Sequence, residues 1–238
     1  MKLSFLVLGL FGGALVLQPA VSQGQTLSPV GTWEVTILGS DPGTSMMTFS
    51  TNLTVSGYGI TRKRFGLFML TGNWGFDSHG DVVVAYVQSL NGTNTATSFA
   101  ARLRHSGRFS AKGTGTSGHF RFKGETVTDF PDLGGLWTAT VKRRGKTLRE
   151  TYTISASTNF PAVFDVTGQG LSDTGSYTLT GEIITTSHNK LNASIDRTFS
   201  GPDTVRSSLS GEAKPRKPAM SLRGDDDTGA ALVIKAIQ

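Results

Sequence analysis

The feature that most constrains this chain is a series of short segments in which apolar and polar residues alternate, each closed by a turn-forming cluster. In Thr97–Arg104, for example, Phe99 and Leu103 share one face while the arginines share the other. Strands that follow each other at intervals of roughly 8–12 residues are typical of a β-sandwich or β-barrel. No stretch has the 3.6-residue apolar period of a helix. The sequence therefore predicts an all-β fold with very little helix.

The same pattern predicts about eight strands in each half of the chain. In the first half they are Gly31–Leu38, Ser45–Ser50, Thr54–Thr61, Phe65–Phe76, Asp81–Leu90, Thr97–Arg104, Arg108–Gly113 and His119–Gly124. In the second half they are Gly135–Lys142, Leu148–Ser155, Ala162–Val166, Ser176–Ile184, Leu191–Phe199, Val205–Gly211, Ala219–Gly224 and Ala230–Ile237. Eight sequential antiparallel strands close into an up-and-down barrel, which removes exposed sheet edges.

An internal repeat divides the chain into two copies. Gly31-Thr32-Trp33 and Gly135-Leu136-Trp137 each open a first strand. Further along, Leu70-Thr71-Gly72 aligns with Leu179-Thr180-Gly181, and Phe122-Lys123-Gly124 aligns with Leu222-Arg223-Gly224. We expect one barrel over residues 30–125, a linker over 126–134 and a second barrel over 135–238.

The N-terminus has the pattern of a signal peptide. Lys2 provides the positive charge, Leu3 to Leu17 is apolar, and Ala20-Val21-Ser22 places small residues before a cleavage site, so residues 1–22 are expected to be removed. The alternative is a retained membrane anchor, although the apolar stretch is shorter than the ~20 residues that a spanning helix needs. The pattern predicts a secreted or periplasmic protein with no membrane span after cleavage.

Charge and cysteine content narrow the range of partners. The chain has no cysteine, which excludes disulfides, thiol nucleophiles and cysteine-based zinc sites. The formal charge is +6, with clusters at Arg62-Lys63-Arg64, Lys142-Arg143-Arg144 with Lys146, and Lys214 with Arg216-Lys217. These clusters are either solvated hairpin tips or a binding surface for an anionic partner. Nucleic acid is not expected, because an exported chain without a recognition motif has no reason to meet it.

The Gly-x-Trp at the start of each copy, together with a basic residue near the last strand, resembles the calycin group, which includes lipocalins and avidins. The resemblance implies that the tryptophan packs across the closed end of the barrel, with a cation lying over it. The pairs would be Trp33 with Arg121 or Lys123, and Trp137 with Arg223 or Lys235. Each copy is shorter than a lipocalin, and the later lipocalin loop motifs and the binding tryptophans of avidin are absent.

Two groups of residues are weighed as metal sites. Asp77, His79 and Asp81 would share one face in extended chain, yet they occupy a turn in which Asp and His commonly make local hydrogen bonds. Asp225-Asp226-Asp227 lacks the spacing of a calcium loop. Both groups are better interpreted as turns, and the sequence predicts no metal and no cofactor.

The aromatic residues leave two interpretations open, a packed core or a ligand-binding cavity. An eight-strand barrel is just wide enough for its own side chains to fill it. The candidate ligand-binding residues are Trp74, Tyr86, Phe99, Phe109, Tyr152, Phe164, Tyr177 and Phe199.

Three functional hypotheses follow. The first is an exported, non-enzymatic barrel protein that binds a small apolar or amphiphilic ligand. The second is a structural or surface-interaction module of the cell envelope that binds anionic polymer. The third is a barrel isomerase or cyclase, which requires acid and base residues inside the barrel; Glu34, Glu150 and Asp165 are the only hints of such residues. No catalytic residue is predicted.

Overall fold

A computed structural model describes residues 27–116, 118–127, 129–173, 175–200, 203–214 and 218–238. The predicted signal peptide lies outside the described residues. The described residues form sixteen strands and no helix. No described helix is therefore long and apolar enough to cross a membrane.

The strands form two closed antiparallel barrels in tandem, as the sequence predicted. The first barrel contains β1 Gly31–Gly39, β2 Gly43–Phe49, β3 Thr54–Thr61, β4 Leu67–Phe76, β5 Val82–Leu90, β6 Thr93–Arg104, β7 Arg108–Gly115 and β8 Gly118–Thr126. The second contains β9 Gly135–Arg143, β10 Lys146–Ala156, β11 Val163–Ser172, β12 Gly175–Thr185, β13 Lys190–Phe199, β14 Thr204–Lys214, β15 Ala219–Asp226 and β16 Ala231–Ile237. Within each barrel every strand pairs with the next one along the chain. The first barrel is closed by the pairing of β8 with β1, and the second by the pairing of β16 with β9.

The turns explain why neighbouring strands pair in this order. Asn91-Gly92 joins β5 to β6 with φ values of 50° and 77°, and Arg144-Gly145 joins β9 to β10 with 48° and 77°. Two consecutive positive φ angles define the two-residue hairpin turn whose twist matches that of the flanking strands. An Asn-Gly pair favours this turn, because both residues tolerate positive φ angles.

The two leading tryptophans occupy equivalent places. Trp33 and Trp137 are both buried, and each indole Nε1 donates a hydrogen bond to the carbonyl four residues earlier, Pro29 O at 2.6 Å and Leu133 O at 2.9 Å. The Leu-Thr-Gly pair is equivalent too, since Gly72 lies in the fourth strand of its barrel and Gly181 in the fourth strand of the other. The third alignment is wrong by one strand. Phe122 lies in the eighth strand of its barrel, whereas Leu222 lies in the seventh.

The interiors of the two barrels differ in character. The first is filled mainly by aromatic rings, in which Phe99 stacks on Phe122 at 4.6 Å and Trp33 lies 5.4 Å from Phe109. The second is mostly aliphatic, with Val141, Leu209 and Ile234 fully buried. It also encloses a charged group, described below.

The barrels pack against each other through their outer faces. Ile60 and Tyr58 of β3 contact Val163 of β11 and Ile184 of β12 in one apolar cluster. Polar contacts surround it: Asn192 Nδ2 donates to Thr44 Oγ1 at 2.8 Å, and the Tyr58 hydroxyl donates to the Pro161 carbonyl. Outward-facing apolar residues that would be exposed on a single barrel are therefore buried here, which favours a fixed arrangement of the pair.

Candidate functional site

The most distinctive surface of the molecule is the outer side of three adjacent strands of the first barrel. Along β6, β7 and β8 the inward positions hold apolar residues, so the alternating outward positions share one exposed surface. Six of those outward residues are cations. We call this surface the basic face, and it comprises Arg102, Arg104, Arg108, Lys112, Arg121 and Lys123.

The strand register brings these cations side by side. Lys112 lies directly opposite Arg121, and Arg104 lies directly opposite Arg108. Like charges directly opposite each other destabilise a sheet. The arrangement therefore costs folding free energy.

Only part of the basic face is neutralised within the protein. Arg102 Nε contacts Asp81 Oδ1 at 2.8 Å, and Arg108 Nε lies 3.3 Å from Glu125 Oε2. Among the described residues, Arg104, Lys112, Arg121 and Lys123 have no carboxylate partner. These four exposed side chains remain available to an external anion.

Two grooves run over the basic face. One, of about 870 Å³, is lined by Lys112 and Arg121 and bordered by the exposed apolar side chains of Leu38 and Val83. The other, of about 440 Å³, is lined by Arg104, Lys123 and neighbouring residues. The surface thus offers positive charge in shallow channels instead of on isolated side-chain tips.

The basic turns predicted from the sequence contribute fewer unpaired, exposed charges to the protein surface than the sequence indicates. Arg64 is mostly buried, donating to Thr95 Oγ1 at 2.7 Å and facing Asp41 at 3.4 Å. Arg143 Nη2 lies 2.6 Å from the fully buried carboxylate of Asp226. Both side chains therefore stabilise the barrel ends. Of the third cluster only Lys214 falls within the described residues.

The candidate ligand-binding aromatic residues lie inside the barrels. Seven of the eight are buried and Phe199 is partly buried. They contact each other: Tyr86 lies 6.4 Å from Phe99, Phe99 stacks on Phe109 at 5.8 Å, and Tyr177 lies 4.9 Å from Phe199. Phe99 is also among the residues that line the groove of about 870 Å³, and Phe109 is among those that line the groove of about 440 Å³. These aromatic residues serve as packed core, and the prediction that they bind a ligand stays a prediction.

None of the basic residues proposed to lie over the two indoles packs against them. Arg121 and Arg223 are exposed on outer faces, whereas Trp33 and Trp137 point inward. Lys123 and Lys235 are exposed as well. Because side chains alternate across a strand, an outward arginine cannot reach an interior indole. Phe49 and Phe109 pack against Trp33 instead.

Of the three predicted acid or base residues, Glu150 alone points into a barrel. It forms a fully buried ion pair with Arg197, with Nε to Oε1 at 2.7 Å. Tyr177 OH donates to the same carboxylate at 2.7 Å, and Tyr152 OH donates to it as well. Burial raises the pKa of both tyrosines. A carboxylate whose oxygens are occupied by four donors is poorly placed for acid–base chemistry.

The other two residues lie elsewhere. Asp165 is exposed on the outer side of β11. Glu34 is on the outer side of β1, where the second barrel covers it and Ser187 N donates to it at 2.8 Å. The inward orientation required by the enzyme hypothesis therefore does not apply to these two.

Both acidic turn groups behave as turns. Asp77 Oδ1 accepts hydrogen bonds from His79 N at 2.8 Å and Asp81 N at 2.9 Å, which lowers its pKa. Asp226 Oδ1 accepts from Ala230 N at 2.8 Å and from the Thr228 hydroxyl at 2.6 Å. Hydrogen bonds from nearby backbone groups are the usual use of Asp in turns.

Each half of the chain therefore forms a closed, up-and-down antiparallel barrel of eight strands, which is the architecture that the resemblance to calycins implied. No protein-family profile and no curated protein sequence matches the chain. Among solved structures, a redesigned β-barrel bound to DFHBI is similar to it, with 15% identity, a TM-score of 0.38, and coverage of 44% of this chain and 94% of the other.

Two longer structures are similar over most of the chain. A protein of unknown function of the DUF3598 family from Nostoc punctiforme has 11% identity and a TM-score of 0.29, covering 88% of this chain and 96% of its own. A putative outer membrane protein from Bacteroides fragilis has 13% identity and a TM-score of 0.30, covering 87% and 96%. Likeness at this level carries no argument about function.

Proposed function

We propose that this is an exported, non-enzymatic binding protein that takes an anionic polymer, such as an acidic polysaccharide of the cell envelope, on the basic face of its first barrel. Export is supported by the leader pattern of residues 1–22. The observation that carries the binding proposal is the row of six cations on three neighbouring strands, four of them without a carboxylate partner.

A polymer suits this surface better than a small anion does. The cations are spread along three strands and do not converge on one point. Adjacent strands lie about 4.8 Å apart, and same-face residues along a strand about 6.6 Å apart, so the charges form a lattice. A chain with repeated negative groups would contact several of them at once.

A second candidate is the amphiphile predicted from sequence. Leu38 and Val83, at 37% and 38% exposure, border the same groove as Lys112 and Arg121. An acyl chain would lie on the apolar side with its anionic head on the cations. This version places the ligand outside the barrel, because the interior aromatic residues pack against each other.

The proposal is tested by charge reversal with a matched control. Lys112, Arg121 and Lys123 are changed together to Glu, and Lys142, Arg149 and Lys235, exposed on the second barrel, are changed to Glu in a control of equal net charge. Binding to heparin is measured over a range of salt. Each lost ionic contact should reduce the slope of log affinity against log salt by about 1.

We expect the basic-face variant to elute at much lower salt while the control stays close to the wild type. Equal shifts in both variants would show that net charge alone governs retention and would overturn the proposal. Binding to anionic lipid vesicles without binding to heparin would replace the polymer with the amphiphile.

A further inference from the structure

A cluster of potential metal ligands lies where the two barrels meet. Glu34 of β1 and Glu125 of β8 are directly opposite each other on the outer side of the first barrel. His188, from the turn between β12 and β13 of the second barrel, joins them. One ligand atom from each of the three residues lies within 4.8 Å of the other two.

The protein holds each of the three side chains in place. Glu34 Oε2 accepts hydrogen bonds from Ser187 N at 2.8 Å and Ser187 Oγ at 2.9 Å. Glu125 Oε2 lies 3.3 Å from Arg108 Nε, and Glu125 Oε1 lies 2.9 Å from His188 Nδ1. Partners that hold a ligand side chain in one orientation are typical of protein metal sites.

The local electrostatics favour an added cation. Glu34 is 5% exposed and lies directly opposite Glu125 in the sheet. Two carboxylates facing each other in a sheet repel. Among the residues that the structure describes, the partly exposed imidazole of His188 and the guanidinium of Arg108 are paired with Glu125 and offset that repulsion.

The cluster is also accessible. Glu34 and Glu125 line the groove of about 440 Å³ on the basic face. With His188 they also line a groove of about 680 Å³ between the barrels. A metal ion could therefore enter from either side, and a water molecule has room to complete its coordination.

We propose that Glu34, Glu125 and His188 bind one divalent transition-metal ion, with Zn²⁺ preferred, and that the ion links the two barrels. Zn²⁺ is bound by carboxylate oxygens and imidazole nitrogens, and a site with three protein ligands leaves one position open for water. The imidazole disfavours Mg²⁺ and Ca²⁺, which prefer oxygen ligands. Metal–ligand distances of about 2.0–2.2 Å require the atoms to close in by about 1–2 Å, which side-chain rotation of the half-exposed His188 can supply.

The test compares ligand variants with the turn that the sequence offered as a metal site. His188→Ala and Glu125→Gln each remove one ligand. The control, His79→Ala combined with Asp77→Asn, removes a histidine and a carboxylate from the exposed turn of the first barrel. Zn²⁺ binding to the full chain is measured by equilibrium dialysis, and Co²⁺ is used as a coloured substitute whose absorption reports its coordination.

We expect one Zn²⁺ per chain with a dissociation constant of about 1 μM or tighter. His188→Ala and Glu125→Gln should each weaken binding at least about tenfold, and the control should leave it unchanged. Zn²⁺ should also raise the melting temperature of the wild type and of the control but not of the ligand variants, since a ligand of the folded state stabilises it.

Three results would overturn the proposal. They are no binding by the wild type at micromolar zinc, wild-type affinity in both ligand variants, or a loss of affinity confined to the turn variant. Circular dichroism of each metal-free variant establishes that it is folded before binding is compared. Since heparin binding by the basic face is measured without zinc, failure of either proposal leaves the other standing.

Discussion

Replacing Arg197 with Met should destabilise the second barrel more than any change on its surface. Arg197 Nε and Nη2 contact Glu150 at 2.7 and 3.2 Å, and Nη1 donates to Ser207 Oγ at 2.7 Å. Both charged residues are 1% exposed. The change leaves the Glu150 carboxylate buried without its counter-ion, and breaking such a pair costs about 3–5 kcal/mol. That is a large fraction of the ~5–15 kcal/mol that stabilises a domain.

The loss should be largely reversed by removing the other charge. In the double variant Glu150→Leu with Arg197→Met, no unpaired charge remains buried, and apolar replacement of a buried pair is often neutral. The hydroxyls of Tyr152 and Tyr177 would then lose their acceptor, so both tyrosines are changed to Phe in a further variant. We expect each single charge variant to be less stable than this fully apolar one.

Urea unfolding followed by circular dichroism measures the free energies. With a slope of about 1–3 kcal/mol per molar urea, a 4 kcal/mol loss lowers the midpoint by roughly 1–4 M. Amide hydrogen exchange should locate the loss of protection in β9 to β16 and leave β1 to β8 protected. Additive single and double effects, or a cost below about 1 kcal/mol for Arg197→Met, would refute the reasoning.

Two further predictions concern pH and the junction of the barrels. Burial raises the pKa of all four tyrosines, to about 12 for Tyr58, so the folded state keeps phenolic protons that the unfolded state releases above pH ~10. The free energy of unfolding should therefore be complete below pH ~10 and decline above it. Tyrosinate absorbance at pH ~10 in a protein with native circular dichroism would contradict this. Ile184→Asp buries an unpaired carboxylate at the junction of the barrels and should separate them while each stays folded. Small-angle scattering should then show a more extended molecule, and residues 127–134 should become more sensitive to proteolysis. Val87→Asp, on an exposed outer face, is the control.

The strands were predictable because their determinants are local. All sixteen predicted strands are present, since alternation and turn residues act over a few positions. The segment Phe65–Phe76 carries apolar residues on both faces near its start, which indicates burial on both sides. Phe68 and Leu70 point into the first barrel, and Leu67 packs against the cluster between the barrels.

The basic face was only partly visible in the sequence. The outward orientation of Arg102, Arg104, Arg121 and Lys123 follows from alternation. The runs of consecutive cations at turns are contiguous in the sequence, whereas the row of cations across β6, β7 and β8 is not. Pairing of β6 with β7 and of β7 with β8 aligns cations that are dispersed along the chain. Placing the outward residues of β6, β7 and β8 side by side, as the predicted hairpins require, is sufficient to locate the basic face.

The junction of the barrels could not be predicted in the same way. Glu34 and His188 belong to different barrels, and their approach depends on which outer faces pack together. Outward apolar residues such as Ile60 and Ile184 indicate that an outer face of each barrel is covered, but they do not indicate which surface covers it. Which outer faces pack together depends on the shape of the two surfaces, and the alternation of apolar and polar residues carries no information about that shape.

The two barrels share one architecture but differ in the side chains that fill them and in where their charges lie. The first barrel fills its interior with aromatic rings and carries its uncompensated charge outside, on the basic face. The second encloses its most strongly bound charges, Glu150 and Arg197, where no external group contacts them. Charge that is buried and paired contributes to the uniqueness of a fold, whereas charge that is exposed and unpaired is available for binding. Because the basic face and the junction adjoin at Glu125, a ligand or metal that engages either one acts on the first barrel at its contact with the second.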